Sequence, residues 1–178
     1  MKERNENVLL KSTMTYGLYM GVAFSIILLL FNFAGKIHTP ADKSGLFNTL
    51  ILSFGMLYFG RQYQRTYFES GITYGKALGF AILLTVFASV IFAFFCYWFY
   101  NILEPDAVNA YINMIDVAIK ESLFLPDEQR KLFVEMYRSP GMIAFATFFN
   151  QTLSGIILAL VVSFFIKSPL NLNINQQR

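Results

Sequence analysis

Four runs of this chain, residues 14–34, 45–60, 77–103 and 142–166, contain no Asp, Glu, Lys, Arg or His. A bilayer's hydrocarbon is about 30 Å thick, so a spanning helix needs roughly 20 mostly apolar residues. The first, third and fourth runs are long enough. The second is the shortest and covers about 24 Å as a helix. Lys43 and Arg61 flank it, and long basic side chains of this kind reach back to the headgroups. The third run reaches about 40 Å, so it must tilt or project past the membrane through Tyr97, Trp98 and Tyr100. Those residues form the aromatic cluster expected at a membrane interface.

Composition agrees with the runs. Charged residues are 14% of the chain, against about 25% in a typical soluble domain. The expected fold is an all-α membrane protein: four transmembrane helices, with an amphipathic helical outer loop, 104–141, between the third and fourth. Residues 1–168 make one domain, and 169–178 make a polar, mobile tail behind the helix-stopping Pro169.

Lys2, Arg4 and Lys11 precede the first run, which raises the question of a signal peptide. The run exceeds the usual apolar core of about 7–15 residues, and "FAGKIHTPA" lacks a small-x-small cleavage site. An uncleaved first span is therefore expected. Cys96 is the only cysteine, so no intrachain disulfide can form.

Four spans put the N-terminus, the 61–76 loop and the C-terminus on one side. Near the helix ends that side holds Lys11, Arg61, Arg65, Lys76 and Lys167. The positive-inside rule then predicts that both termini are cytoplasmic. In the outer loop, Pro105 and Pro126 read as first-turn prolines of two helices. Val108, Tyr111, Ile112, Ile115, Ile119 and Leu123 share one face of the first, while Asn109, Asn113, Asp116 and Lys120 take the other. Leu132, Phe133, Met136 and Tyr137 group on the second, about 127–138. These helices are expected to lie on the outer leaflet or over the bundle mouth.

Every run also carries small or weakly polar residues four apart. Thr13, Gly17, Gly21 and Ser25 form one such stripe, and Ala77, Ala81, Thr85, Ser89 and Ala93 another. Gly45, Thr49 and Ser53 continue the pattern, as do Thr147, Gln151, Gly155, Ala159 and Ser163. Small residues at this spacing let helix backbones approach closely in lipid. Helix packing is expected at Gly17, Gly21, Gly75, Gly79, Thr85, Ser89, Gln151 and Gly155, with Asn48, Asn150 and Gln151 hydrogen-bonding between helices. The pattern T-Y-G-x-x-x-G-x-A occurs twice, at Thr15–Ala23 and Thr73–Ala81. A duplicated hairpin and two independent packing motifs both account for it.

Signs of chemistry are few. His38 precedes Thr39-Pro40 and reads as a solvated loop residue, and Cys96 reads as a packing residue. Glu104, Asp106, Asp127 and Glu128 suit helix N-termini. No metal or nucleotide motif is present, so no cofactor is expected. The runs hold no ionisable residue, which disfavours proton-coupled transport. A neutral pathway along Thr85, Ser89, Asn150, Gln151 and Ser154 stays open. Arg61 and Arg65 lie one turn apart beside Tyr63 and Tyr67, and a contact with anionic lipid or a plain topological anchor both fit.

"GRQYQR" (60–65), "GITYGKALGF" (71–80), an aromatic end to the third run and Pro105 together resemble the family catalogued as domain of unknown function 4199, found mainly in Bacteroidota. The likeness spans about residues 8–168. It implies an inner-membrane protein and brings no activity or catalytic residue with it. The reading that follows is a non-catalytic scaffold or accessory subunit that associates through small-residue helix faces. The alternative is a channel or transporter component for a neutral or lipid-like solute, and an enzyme comes last. The expected partners are the lipid bilayer, with a second copy or another membrane subunit, and no nucleic acid.

Overall fold

A computed structural model describes residues 2–39, 42–68, 71–121 and 126–167. The expected tail, Leu123 and the side chains of Lys2, Arg4 and Asp127 lie outside what it describes. The chain is all-helical. Four long helices, α1 (Lys2–Phe33), α2 (Ser44–Tyr67), α3 (Tyr74–Trp98) and α6 (Pro140–Ile166), form a bundle. A π-helical turn, Phe99–Leu103, ends α3, and the short helices α4 (Ala107–Glu121) and α5 (Asp127–Met136) follow.

Asn7–Phe33, Tyr74–Leu103 and Pro140–Ile166 are long and apolar enough to cross a membrane. Only 33%, 39% and 28% of their most apolar stretches are buried, so most of that apolar surface faces outward. Phe94, Phe145, Leu153, Ile157 and Phe165 are all more than half exposed. Water does not tolerate such a surface, but a bilayer does. This is a multi-pass membrane protein. α2 has sufficient length, but its last two turns carry Arg61, Gln62, Gln64 and Arg65, leaving a shorter apolar stretch than in the other three.

Packing fixes the order of the bundle. α3 is flanked by α1 and α6, and α2 lies across from it against the same two helices. α1 and α3 run parallel, because Gly17 faces Leu84, Phe87 and Ala88 while Gly21 faces Ala88 and Ile91. A Cβ on Gly17 would come within 2.5 Å of Phe87 Cβ, and one on Gly21 within 2.6 Å of Ile91 Cβ and 2.9 Å of the Ala88 carbonyl oxygen. These contacts are with backbone or backbone-proximal atoms, which cannot swing aside. α6 runs antiparallel to α3, where Gly155 receives the Thr85 methyl and Leu52. α2 is antiparallel to α1, from Phe47 beside Phe31 to Phe59 stacked on Tyr16 at 4.5 Å.

The second copy of the repeated motif does not pack as the first does. Nothing lies within 4 Å of a Cβ at Gly75 or Gly79, so the packing expected there is not made within the chain. Spacing alone chooses a helix face without choosing what stands opposite. The paired tyrosines diverge as well: Tyr16 stacks inside the bundle, while the Tyr74 hydroxyl donates to the Leu160 carbonyl oxygen at 3.0 Å.

Most small hydroxyls satisfy themselves locally. Thr13, Ser25, Thr49, Ser53 and Thr85 each donate to a carbonyl four residues back, as hydroxyls in helices commonly do. They provide compactness rather than interhelical bonds.

The loop helices cover one end of the bundle, where Tyr111 of α4 meets Tyr100 and His38. Pro126 caps α5 and Pro105 sits ahead of α4, whereas Pro140 occupies the first turn of α6. Asp116 pairs with Lys120 one turn on and also with Arg130 of α5, at 3.4 Å, tying the two short helices together.

The glycine contacts separate the two copies of the motif in stability. Gly17→Ala or Gly21→Ala forces α1 away from α3 and lowers stability by about 1–3 kcal/mol, as overpacking does. Gly75→Ala and Gly79→Ala meet open space and gain helix propensity, so each shifts stability upward by less than about 1 kcal/mol. Denaturant titration in detergent, followed by circular dichroism, measures both.

Candidate functional site

At the end covered by α4 and α5, the bundle holds an open cavity of about 470 Å³. Its walls are built in layers. Gly45 of α2, Cys96 of α3 and Thr147 of α6 form the upper layer, with Asn48, Phe92 and Gln151 one turn further in. The next turn closes it, because the Thr85 methyl and Leu52 press against Gly155. Tyr111, Ile115 and Ile119 of α4 and Tyr137 beyond α5 form the cover.

The deep layer sets two uncharged amides, Asn48 and Gln151, beside Phe92. Asn48 is 5% exposed, and its Oδ1 has no hydrogen-bond partner among the described residues. The interhelical bond expected of it is therefore not made through that oxygen. An unsatisfied buried carbonyl of this kind costs about 1–3 kcal/mol. Thr147 stands beside the Cys96 thiol on the cavity wall. Gln151 is half-buried and Asn150 exposed, both on the cavity wall.

Among the described residues, the rim carries the only ionisable side chains that line the cavity apart from Cys96 and the tyrosines: His38 and Asp42. Sequence reading placed His38 in solvent, and the structure corrects this. Its ring lies between two tyrosines, 2.8 Å from the Tyr100 hydroxyl through Nε2 and edge-on to Tyr111 at 5.0 Å. Its backbone is left-handed, with φ at 55°, a conformation uncommon outside glycine. That twist aims the His38 N–H at Asp42 Oδ2, 2.9 Å away, while Asp42 Oδ1 accepts the Ser44 N–H at 2.9 Å. Both carboxylate oxygens thus hold backbone at the start of α2, where negative charge also favours the helix dipole.

Burial lowers the His38 pKa below the ordinary histidine value, and the nearby Asp42 charge only partly opposes it. Burial pushes Asp42 upward, but its hydrogen bonds from Ser44 and His38 more than offset this, and its pKa ends below the usual value.

Of the sequence-predicted residues, Gly17 and Gly21 meet α3, and Thr85 and Gly155 meet each other. Ser89 is fully buried, with no hydrogen-bond partner for its hydroxyl among the described residues. Gln151 joins the cavity rather than a seam, and Gly75 and Gly79 stand apart. Arg61 and Arg65 are exposed and line a groove whose residues, including Tyr58 and Gln62, all belong to α2. It is one helix face rather than a cleft. Among the described residues no three His, Cys, Asp or Glu side chains come together as metal ligands.

The rim has a pH signature. A lowered His38 pKa means that the unfolded chain takes up a proton first as pH falls. Its contribution is complete above the ordinary histidine value of 6.5 and is lost as pH drops below it. The melting temperature of the wild type should fall between pH 7.5 and 5. His38→Asn should flatten that slope, as read by thermal scans in detergent at each pH.

No curated protein and no solved structure matches the chain. The family model described as "Protein of unknown function (DUF4199)" matches residues 15–168. That match covers most of the chain, including α1 from residue 15 onward, the other three bundle helices and the cavity between them, and the chain belongs to the DUF4199 family.

Proposed function

We propose that all four bundle helices cross the inner membrane with both termini cytoplasmic, and that the cavity is an outward-facing binding site for a neutral or lipid-like solute. On this reading the protein is non-catalytic and serves as a binding or transport component. One observation carries it: a cavity of this size on whose wall Asn48, Thr147, Asn150 and Gln151 set uncharged polar side chains among apolar ones. Ligand pockets of about 300–1,000 Å³ with a few placed polar groups are the usual form of small-molecule sites.

The four-span reading is supported by the path of α2. It stays beside α1 from Phe31 to Tyr16, a rise of about 22 Å at 1.5 Å per residue. It therefore traverses most of the slab that α1 does. Orientation follows from Lys11, Arg61, Arg65, Lys76 and Lys167, which gather at the end away from α4. Arg61 and Arg65 then sit at the inner leaflet, where anionic headgroups are the natural counter-charge.

A second reading, self-association or attachment to another membrane subunit, is favoured by Gly75 and Gly79, whose open face leaves room for a further helix.

Cys96 is buried, so Cys96→Ala provides a background without an accessible thiol for a test with a small membrane-impermeant methanethiosulfonate. In that background, Gln151→Cys should react at least tenfold faster from outside than Thr85→Cys, which lies at the floor. Equal reaction at both positions from both sides would mean an open conduit. No reaction of Gln151→Cys from outside would mean a sealed bundle and would overturn the binding reading.

A further inference from the structure

We propose that His38 is an acid-sensitive latch: while its ring is uncharged it holds the α4–α5 cover over the cavity, and protonation lets the cover swing away. Only the side of the membrane from which acid reaches the ring rests on the outward-facing reading. Three segments meet at this ring. The 34–43 connection supplies His38 itself, the turn after α3 supplies Tyr100, whose hydroxyl lies 2.8 Å from Nε2, and α4 supplies Tyr111, in ring contact at 5.0 Å. Both ends of the 2.8 Å bond stand on uncommon backbone. His38 is left-handed, with φ at 55°, and Tyr100 is buried on the π-helical turn Phe99–Leu103. Such conformations gather at switch regions and functional sites.

The cover is built to move as a unit. A short connection joins it to the bundle at each end, at 104–106 and 137–139. Its two helices hold each other through Asp116 with Arg130 and through the rings of Tyr111 and Tyr137. Its hold on the bundle lies in the first turns of α4, where Ala107, Val108 and Tyr111 pack on the core and Ile112 is buried. Further along, Met114, Val117 and Ala118 are exposed. The start of α4 also has room on either side: the main cavity lies against Tyr111 and Ile115, and a second hollow of about 300 Å³ lies against Val108 and Ile112, with Tyr100 bordering both. Sparse buried contacts of this kind mark a segment that opens locally.

Charge sets the direction. The titratable groups around His38 are Asp42 from its own connection, Tyr100 and Cys96 from the α3 side, Tyr111 from α4, and Tyr137 behind Tyr111. Lys36 and Lys43 share the connection but do not line the cavity, and Leu28 and Ser44 bring no charge to it. Hydrogen bonds from Ser44 and His38 keep Asp42 ionised, and Tyr111, pushed up to about 12 by burial, stays neutral. His38 is thus the member that changes charge between pH 7.5 and 5. Covered, the half-buried ring resists protonation, and Asp42 opposes this only in part. Uncovered, it regains water and its ordinary value of 6.5. The cover's hold is therefore complete above that value and weakens as pH falls below it. A protonated imidazole also has donors only, so the Tyr100 hydroxyl can no longer donate to it.

The experiment follows the cover directly, in the full chain in detergent, by pulsed electron paramagnetic resonance between spin labels in the Cys96→Ala background. Labels on Val117→Cys of α4 and Leu46→Cys of α2 report the cover, and labels on Val22→Cys of α1 and Ile157→Cys of α6 report the bundle; all four positions are exposed. Between pH 7.5 and 5 the population at the longer cover distance should grow at least threefold, beginning near pH 6.5, while the bundle distance stays fixed. His38→Asn keeps a residue that tolerates left-handed backbone and should remove this response, with His38→Gln in its place should the asparagine variant not fold. A cover distance that is the same at pH 7.5 and 5 would overturn the latch, and so would a response that survives without the histidine. A bundle distance that shifts together with the cover would overturn it too, since acid would then be loosening the whole fold. Failure of the binding reading is read separately, from Gln151→Cys at pH 7.5, and leaves these distances as they are.

Discussion

The close approach of α1 to α3 at Gly17 and Gly21 is the contact on which the rest of the bundle depends. Between lipid-solvated helices, burying apolar side chains gives little net drive, so van der Waals contact and shape decide association. A methyl at either glycine would collide with Phe87, Ile91 or the α3 backbone. With α1 seated on one flank of α3, its other flank is open to α6, and Gly155 takes the Thr85 methyl there. α2 then has one place left, across from α3 and against both neighbours. Leu52 reaches Gly155 from that position, and the three helices close the floor of the cavity together.

How much of this could be read in the sequence depended on the range of the physics involved. Bilayer thickness is a property of the solvent, so the long apolar runs announced α1, α3 and α6 directly. Amphipathic spacing announced α4, whose Tyr111 and Ile112 turn inward as expected while Asn109 and Asn113 face out. The small-residue stripes were legible as faces but not as contacts. Gly17 and Gly75 sit in the same nine-residue pattern, yet one meets a helix and the other meets none, because the neighbour is decided by the whole bundle. His38 was illegible for a similar reason. Its burial depends on Tyr100, 62 residues away, and on a left-handed backbone that local sequence does not demand. Asn48 was legible as a polar residue in a span, but spacing cannot say whether its amide finds a partner.

The cavity itself arises from a mismatch in helix height. Leu52 and Gly155 stand at one level, yet Leu52 lies eight residues into α2 and Gly155 fifteen into α6. α6 therefore rises about 10 Å above the start of α2 at 1.5 Å per residue. The 34–43 connection and the two short helices must cover that step. They cover it with tyrosines and a histidine rather than filling it, since a connection needs its backbone polar groups satisfied and cannot pack as densely as a helix. Asp42 satisfies two of those groups, which holds the rim in place above the void.

A step of this kind could have been sealed with larger apolar residues. At the positions that would seal it, the chain instead places Gly45, Asn48, Thr147, Asn150 and Gln151. Leucine at 48 would remove an unsatisfied carbonyl and bury more apolar surface, so the asparagine works against the stability of the bundle taken alone. Natural sequences break such local rules chiefly at functional positions. The destabilising amide therefore marks position 48 as one where something other than the stability of the bundle decides the residue.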